Sequence, residues 1–223
     1  MRILKGHWQL LALTAVVFAL WQTPAVLPLK VLVVFFHEAS HAVATILTGG
    51  KVFSLSISPD QGGSVLSGGG NRFIALSAGY PGSLLIGVAL LIAATRTSAD
   101  RVVMMVCGAA MLLIAALYIR EPFALVFTLG TGAVMLLMAR YLGHHANDLA
   151  LRLIGLASII YVPFDIFSDT IARSSLKSDA RMLAEEFGGA TVMWGGFWLI
   201  ISLTIIGWCL RYGLGRSSNL RLR

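Results

Sequence analysis

The sequence is poor in charge and in cysteine. Only 12% of its 223 residues are Asp, Glu, Lys or Arg, against about 25% in a typical soluble domain, and 57% are hydrophobic. Because so few charged side chains cannot cover the surface of a soluble fold, the composition excludes a soluble globular protein and predicts an integral membrane protein. Both cysteines, Cys107 and Cys209, lie in apolar runs, which excludes a disulfide framework and indicates buried thiols.

The charges that are present are mostly positive, and the formal net charge is +7. In a membrane protein Lys and Arg collect in cytoplasmic loops and tails. This positive excess is therefore expected to set the orientation of the chain across the membrane, and it does not indicate a nucleic-acid partner. Arg2 and Lys5, together with the arginines that follow residue 210, predict that both ends lie in the cytoplasm. Two cytoplasmic ends require an even number of membrane spans.

Seven apolar runs approach the length of about 20 residues that a transmembrane helix needs. They cover residues 8–22, 29–48, 73–95, 102–119, 122–140, 149–168 and 192–212. We therefore predict an all-α polytopic membrane protein with six to seven transmembrane helices, folded as a single domain over residues 1–223. The first run is the shortest, and it is the one that an even number of spans would exclude as a full crossing.

The connection after the second run has the pattern of a β-hairpin. Lys51–Ser58 alternates apolar and small polar residues, which predicts a strand. Gly62-Gly63 then provides a turn, and Ser64–Leu66 can return as the second strand. We expect a small re-entrant β-hairpin at membrane depth, with a plain loop outside the membrane as the alternative.

A second long connection, residues 171–191, is polar. Ser178 has the position of an N-cap for a short helix, and Gly188-Gly189 is typical of the end of that helix. This loop separates the expected catalytic core, residues 29–170, from the last span and basic tail at residues 192–223.

One apolar run contains polar residues at the spacing of metal ligands. The segment from His37 to His41 fits H-E-x-x-H, and on a helix His37 and His41 lie one turn apart on the same face. Two imidazoles so placed can bind one Zn²⁺ while Glu38 acts as general base on a water. Because a charged side chain at the centre of a span costs about 2.5–3.5 kcal/mol on insertion scales, this cluster indicates a metal site. The alternative is structural, with the same groups hydrogen-bonding between helices.

A catalytic zinc site needs a third protein ligand and an open position. No third histidine fits well, because His144-His145 lies in a short loop and His7 near the N-terminus. We predict Asp165, which follows a proline near the end of the sixth run. Asp169 is four residues further on and is either the alternative ligand or the residue that orients a ligand. The structural alternative is that both acids mark the membrane–water interface.

The third run carries a stripe of small residues, because Ala75, Gly79, Ser83 and Gly87 recur every four positions. Such stripes let transmembrane helices approach closely. The expected neighbour is the helix that bears His37, although packing against any other helix is equally compatible with the stripe.

The order of these motifs resembles the site-2 protease family of intramembrane zinc metalloproteases, in particular the branch that lacks a PDZ domain. The shared features, over most of residues 30–200, are Phe36–Ala42, Thr48–Lys51, Pro59-Asp60-x-Gly62-Gly63, Ala78–Ser83, Asp165-Ile166-x-x-Asp169 and Ser178-Asp179-Ala180. The resemblance implies that His37 and His41 bind zinc, that Glu38 is the catalytic acid/base, and that a later Asp is the third ligand. In better-known members this Asp lies in an Asn-Pro…Asp-Gly motif, which the sequence does not contain.

The resemblance implies a protease that hydrolyses peptide bonds of membrane-embedded substrates, as in regulated intramembrane proteolysis. Its partners would be a transmembrane protein substrate and the lipid bilayer, expected to be a bacterial cytoplasmic membrane. Two other hypotheses are a divalent-metal transporter and a catalytically silent membrane scaffold. A transporter needs polar groups on several helices at one depth. The runs at 73–95, 102–119 and 122–140 contain no acid and no histidine, which argues against it.

Overall fold

The computed structural model describes residues 2–172, 177–213 and 217–219. Within them the chain forms α-helices and one two-stranded sheet. The elements in chain order are α1 (Arg2–Ala19), a 3₁₀ turn (Pro24–Val26), α2 (Leu27–Leu47), β1 (Lys51–Ile57), β2 (Gly63–Gly68), α3 (Arg72–Ser77), α4 (Gly79–Arg96), α5 (Asp100–Tyr118), α6 (Pro122–Tyr141), α7 (His144–Phe167), a π-helical turn (Ser168–Ala172), α8 (Asp179–Phe187) and α9 (Thr191–Gly213).

Six helices in the described residues are long and apolar enough to cross a membrane, which confirms the predicted membrane fold. They are Pro24–Leu47, Gly79–Arg96, Asp100–Tyr118, Pro122–Tyr141, His144–Ala172 and Thr191–Arg211. The first predicted run forms α1, which is not among them. The spans that contain α2 and α7 are 61% buried, whereas α5, α6 and α9 are 22%, 28% and 17% buried. The helices α2 and α7 are therefore central, and the other three present mostly lipid-facing surface.

The two ends of the described chain lie against each other. Ser218 donates its backbone N–H to the Gly6 carbonyl at 2.9 Å, and the Asn219 amide donates to the Lys5 carbonyl at 2.8 Å. The His7 Nδ1 atom lies 2.7 Å from the Ser218 hydroxyl. Contact between the ends agrees with an even number of spans, because an odd number would put them on opposite sides. That this side is the cytoplasm stays a prediction.

The predicted hairpin is confirmed. Strands β1 and β2 pair antiparallel from Lys51 opposite Gly68 to Ile57 opposite Gly63, with an irregularity between Val52 and Ser54. The alternation of β1 buries Leu55 and Ile57, and β1 packs against α2. The tip of the hairpin, at Gly63, comes to Glu38 on α2. The hairpin therefore lies beside the His37–His41 segment, while its depth in the membrane stays a prediction.

The small-residue stripe packs against two helices. Gly82 lies beside the stripe. A Cβ there would lie 2.5 Å from the Ser40 Cβ of α2, so this glycine permits a close crossing of α4 and α2. A Cβ on Gly87 would instead lie 2.7 Å from the Ser158 Oγ of α7. The Ser158 hydroxyl donates to the Ser83 carbonyl at 2.8 Å. The first turn of α4 therefore packs against α2, as expected, and its middle packs against α7.

The polar connection before α9 contains the predicted short helix. Ser178 caps α8 by accepting the Arg181 N–H at 3.3 Å, and Gly188 ends it with φ +86°. Ala180 and Leu183 are buried, and α8 packs against α9 and α3. This helix lies outside the six candidate spans and brings its first residue, Asp179, to α2.

Candidate metal centre

The helix α2 presents two imidazoles to a carboxylate from α8. His37 and His41 are one turn apart, and their ring centroids are 4.7 Å apart. The Asp179 Oδ2 atom lies 2.9 Å from the His37 Nε2 and 3.0 Å from the His41 Nε2. One ligand atom from each of the three residues lies within 4.8 Å of the others. Two nitrogens and one carboxylate oxygen converging in this way are a donor set that fits a catalytic zinc with one open position.

The surroundings orient the donor atoms toward one point. The His41 Nδ1–H donates to the Ala75 carbonyl of α3 at 2.6 Å, which leaves the Nε2 lone pair of the neutral ring for an ion. Gly79, at the beginning of α4, lies against the other side of the pair. A Cβ there would be 2.5 Å from the His41 Nε2 and closer still to the His37 Nε2. Only a glycine allows α4 to approach the ligand atoms so closely.

The carboxylate is ionised in this environment. Burial by itself would raise the pKa of Asp179, but the facing imidazoles of His41 and His37 hold it well below its usual range. The side chains of Asp179 and His41 are each 10% exposed. A buried carboxylate between two imidazoles is an anionic ligand suited to a divalent cation, and binding of such an ion would release any protons held on the ligand atoms.

Glu38 lies beside this cluster and faces a cavity of about 790 Å³. Glu38 is 6% exposed, and the tip of the hairpin covers it. A Cβ on Gly63 would lie 2.6 Å from the Glu38 Cγ and closer still to Oε1. The cavity also borders His37 and Asp179, so a molecule bound in it would meet Glu38, the candidate general base, and two of the three candidate ligands.

Comparison with known proteins assigns the chain to a family. A family model described as Peptidase M50B-like matches residues 10–209, which includes the three candidate ligands and Glu38. The chain belongs to this family. The match confirms the resemblance to site-2 proteases that the sequence motifs indicated. No curated protein and no solved structure matches the chain.

In this M50B-like protein, the two acids predicted from the sixth run lie in the cavity wall. Asp165 and Asp169 both border the cavity. Neither belongs to the group of three candidate ligands formed by the two histidines and Asp179. The Tyr80 hydroxyl donates to the Asp169 Oδ2 at 2.9 Å, and the Tyr80 ring meets His37 edge-on at 4.6 Å. The carboxylate nearest the histidines is that of Asp179, which differs from the predicted third ligand, Asp165.

The physical reason for this difference is the route of the chain after α7. Pro163 lies within α7, and the helix widens into the π-helical turn that contains Asp169. The helix α8 begins at Asp179, beside α2. The sequence contains a signal for this residue, because Asp179 follows the N-cap Ser178 and belongs to the Ser178-Asp179-Ala180 feature shared with the family. That signal predicts the start of a helix and the family resemblance, and it does not by itself indicate a metal ligand.

Proposed function

We propose that this M50B-like protein is an intramembrane zinc endopeptidase that hydrolyses peptide bonds of membrane-embedded substrates. The observation that carries the proposal is the convergence of His37, His41 and Asp179 next to Glu38, within a cavity bordered by candidate membrane spans. Our proposed ligand set is these two histidines and Asp179. Asp165 and Asp169 are then assigned to the wall of the substrate cavity.

Zinc held by these ligands would lower the pKa of a coordinated water toward about 7 and polarise a scissile carbonyl. Glu38 accepts the proton of the attacking water on its carboxylate and donates it to the nitrogen of the leaving amine. Its burial under the hairpin tip restricts bulk water, which strengthens its electrostatic interactions with a bound peptide. The His41 Nδ1–H bond to the Ala75 carbonyl keeps that imidazole in the tautomer that can act as ligand.

The hairpin supports recognition of an extended substrate. Within the described residues each strand of the sheet pairs only with the other, so each has an outer edge that can pair with a peptide. A substrate strand added to such an edge would run toward the hairpin tip and Glu38. Peptide hydrolysis requires extended backbone, whereas a transmembrane helix has its backbone groups already bonded. Strand addition would therefore hold the unwound segment at the catalytic base.

The proposal is tested with purified protein in detergent and in liposomes. We expect about one zinc per chain and cleavage of a transmembrane model substrate. Loss of the general base in Glu38→Gln should lower the rate by about 10²–10⁴-fold with zinc retained. Cleavage by Glu38→Gln at the wild-type rate would refute the mechanism. Zinc flux into liposomes without cleavage would favour a transporter, and wild-type behaviour of His37→Ala in cells would favour a silent scaffold.

The ligand set has its own test. Zinc content is measured for Asp179→Ala, Asp165→Ala and Asp169→Ala at matched protein concentration. Loss of zinc only in Asp179→Ala supports the proposed set, because that residue alone has an oxygen within 3.0 Å of both histidines. Loss of zinc only in Asp165→Ala would instead identify Asp165 as the third zinc ligand.

A further inference from the structure

The short helix α3 contacts both parts of the candidate metal centre. We propose that α3 is a brace that holds α8, and with it Asp179, in line with the histidine pair. The inference rests on the proposed function for the role of Asp179 as a ligand. It assigns to Arg72 and Phe73 a positioning role.

The first contact of α3 is with α2. The Ala75 carbonyl accepts the His41 Nδ1–H at 2.6 Å, so the orientation of that imidazole depends on where α3 lies. At the other end of α3, the backbone N–H of Asn71 donates to the Thr48 hydroxyl at 3.0 Å. The Asn71 side chain in turn caps α3 by accepting the Ile74 N–H at 3.1 Å. The helix α3 is therefore fixed to the end of α2 as well as to the ligand.

The second contact is with α8. The Arg72 guanidinium donates from Nε and Nη2 to the Glu186 carboxylate at 3.0–3.2 Å. The same Nη2 lies 3.7 Å from the Met182 Sδ. Asp179, Met182 and Glu186 are at positions i, i+3 and i+7, which lie on one face of a helix. Arg72 thus binds the face of α8 that carries the ligand, one and two turns beyond it.

Aromatic rings extend this contact to the end of α8. The Phe73 ring lies 5.4 Å from Phe187 and 5.8 Å from Trp194, in edge-to-face geometry with both. The Trp194 Nε1–H donates to the Gly188 carbonyl, which ends α8, at 3.0 Å. Consecutive residues of α3 therefore hold α8 by charge and by aromatic packing.

This contact is needed because α8 has little stability of its own. It has nine residues, and isolated helices shorter than about 12–15 residues are marginal in water. It also lies outside the six candidate spans found among the described residues. Its position is set by packing on neighbouring elements, of which α3 is the one that also bonds His41.

The experiment compares two adjacent carboxylates on α8. Glu186 pairs with Arg72 on α3, whereas Glu185 pairs within α8 with Arg181 at 2.8 Å. Glu186→Gln and the matched control Glu185→Gln remove the same charge from the same helix. Amide hydrogen exchange of α8 is measured on the full-length zinc-free protein, and zinc affinity is measured by competition with a chelator.

We expect Glu186→Gln to speed exchange of the α8 amides and to weaken zinc binding, each by about twofold to fivefold, whereas Glu185→Gln should change the exchange less and leave zinc affinity unchanged. Arg72→Glu should have a larger effect, because it adds repulsion, and the exchanged pair Arg72→Glu with Glu186→Arg should restore both readouts. The restored double variant also excludes a general folding defect.

Equal rates of α8 amide exchange in Glu186→Gln and Glu185→Gln would overturn the proposal that α3 holds α8. So would faster exchange with unchanged zinc affinity, because α8 would then be held without aligning the ligand. A wild-type protein that binds no zinc would refute the proposed function, and the exchange comparison would still decide whether α3 holds α8.

Discussion

The closest approach of two helices at the metal centre provides a sharp test of its geometry. Gly79 lies where α4 meets the ligand atoms, and a Cβ there would be 2.5 Å from the His41 Nε2 and closer to the His37 Nε2. Real Cβ contacts essentially never fall under 3.0 Å, so in Gly79→Ala either α4 moves away or the imidazoles turn. Overpacking of this kind costs about 1–3 kcal/mol. If the imidazoles absorb it, zinc affinity falls by roughly fivefold to 150-fold.

The assay is zinc competition with a chromogenic chelator on purified Gly79→Ala, together with its thermal unfolding. Gly87→Ala is the matched control on the same helix, because its Cβ would lie 2.7 Å from the Ser158 Oγ of α7, away from the ligands. We expect both variants to lose stability and only Gly79→Ala to lose zinc affinity. Wild-type zinc affinity together with wild-type stability in Gly79→Ala would refute the conclusion that both Nε2 atoms face α4.

Two further predictions concern the base and the packing of α7. Gly63→Ala should lower the rate of cleavage with zinc retained, because its Cβ would lie 2.6 Å from the Glu38 Cγ. Gly62→Ala is the control, because its Cβ would meet a serine hydroxyl at 3.2 Å and not Glu38. Equal cleavage by the two variants would contradict the conclusion that Gly63 gives room to Glu38. Asp148→Asn should destabilise the protein by about 3–5 kcal/mol in denaturant unfolding, because it leaves Arg152 buried without its carboxylate, 2.6 Å away. A loss below about 1 kcal/mol would show that the Arg152 charge is not desolvated.

The parts of the fold that depend on local patterns were predictable from the sequence. The spacing of His37 and His41 follows from helical periodicity, and alternation in β1 followed by glycines predicts the hairpin. The length of apolar runs predicts the spans, and the charge near both ends indicates that one of seven runs is not a crossing. The metal-ligand spacing, the hairpin and the spans are each decided by residues within about 20 positions of one another, whereas the charge argument compares the two ends of the chain.

The third member of the candidate metal centre was not predictable in this way. Asp179 meets His41 across 138 positions of sequence, and its place depends on how α7 ends and how α8 packs on α3. Asp165 was the reasonable choice, because an acid within an apolar run costs more to insert than one in a polar loop. That rule takes no account of tertiary contacts, which here bring a loop residue, Asp179, to the membrane helix α2.

The separation of Asp179 from His41 also makes the ion of the proposed site a cross-link. An ion held by both residues closes a ring of chain that encloses the hairpin and the helices α3 to α7. Closing a ring of this length removes conformational freedom from the unfolded chain, by an amount that grows slowly with ring length. Removal of such an ion would therefore lower the stability of the whole fold, including α5 and α6, which contribute no residue to the proposed ligand set. For the proposed site, zinc occupancy and the unfolding temperature of the distant spans should change together.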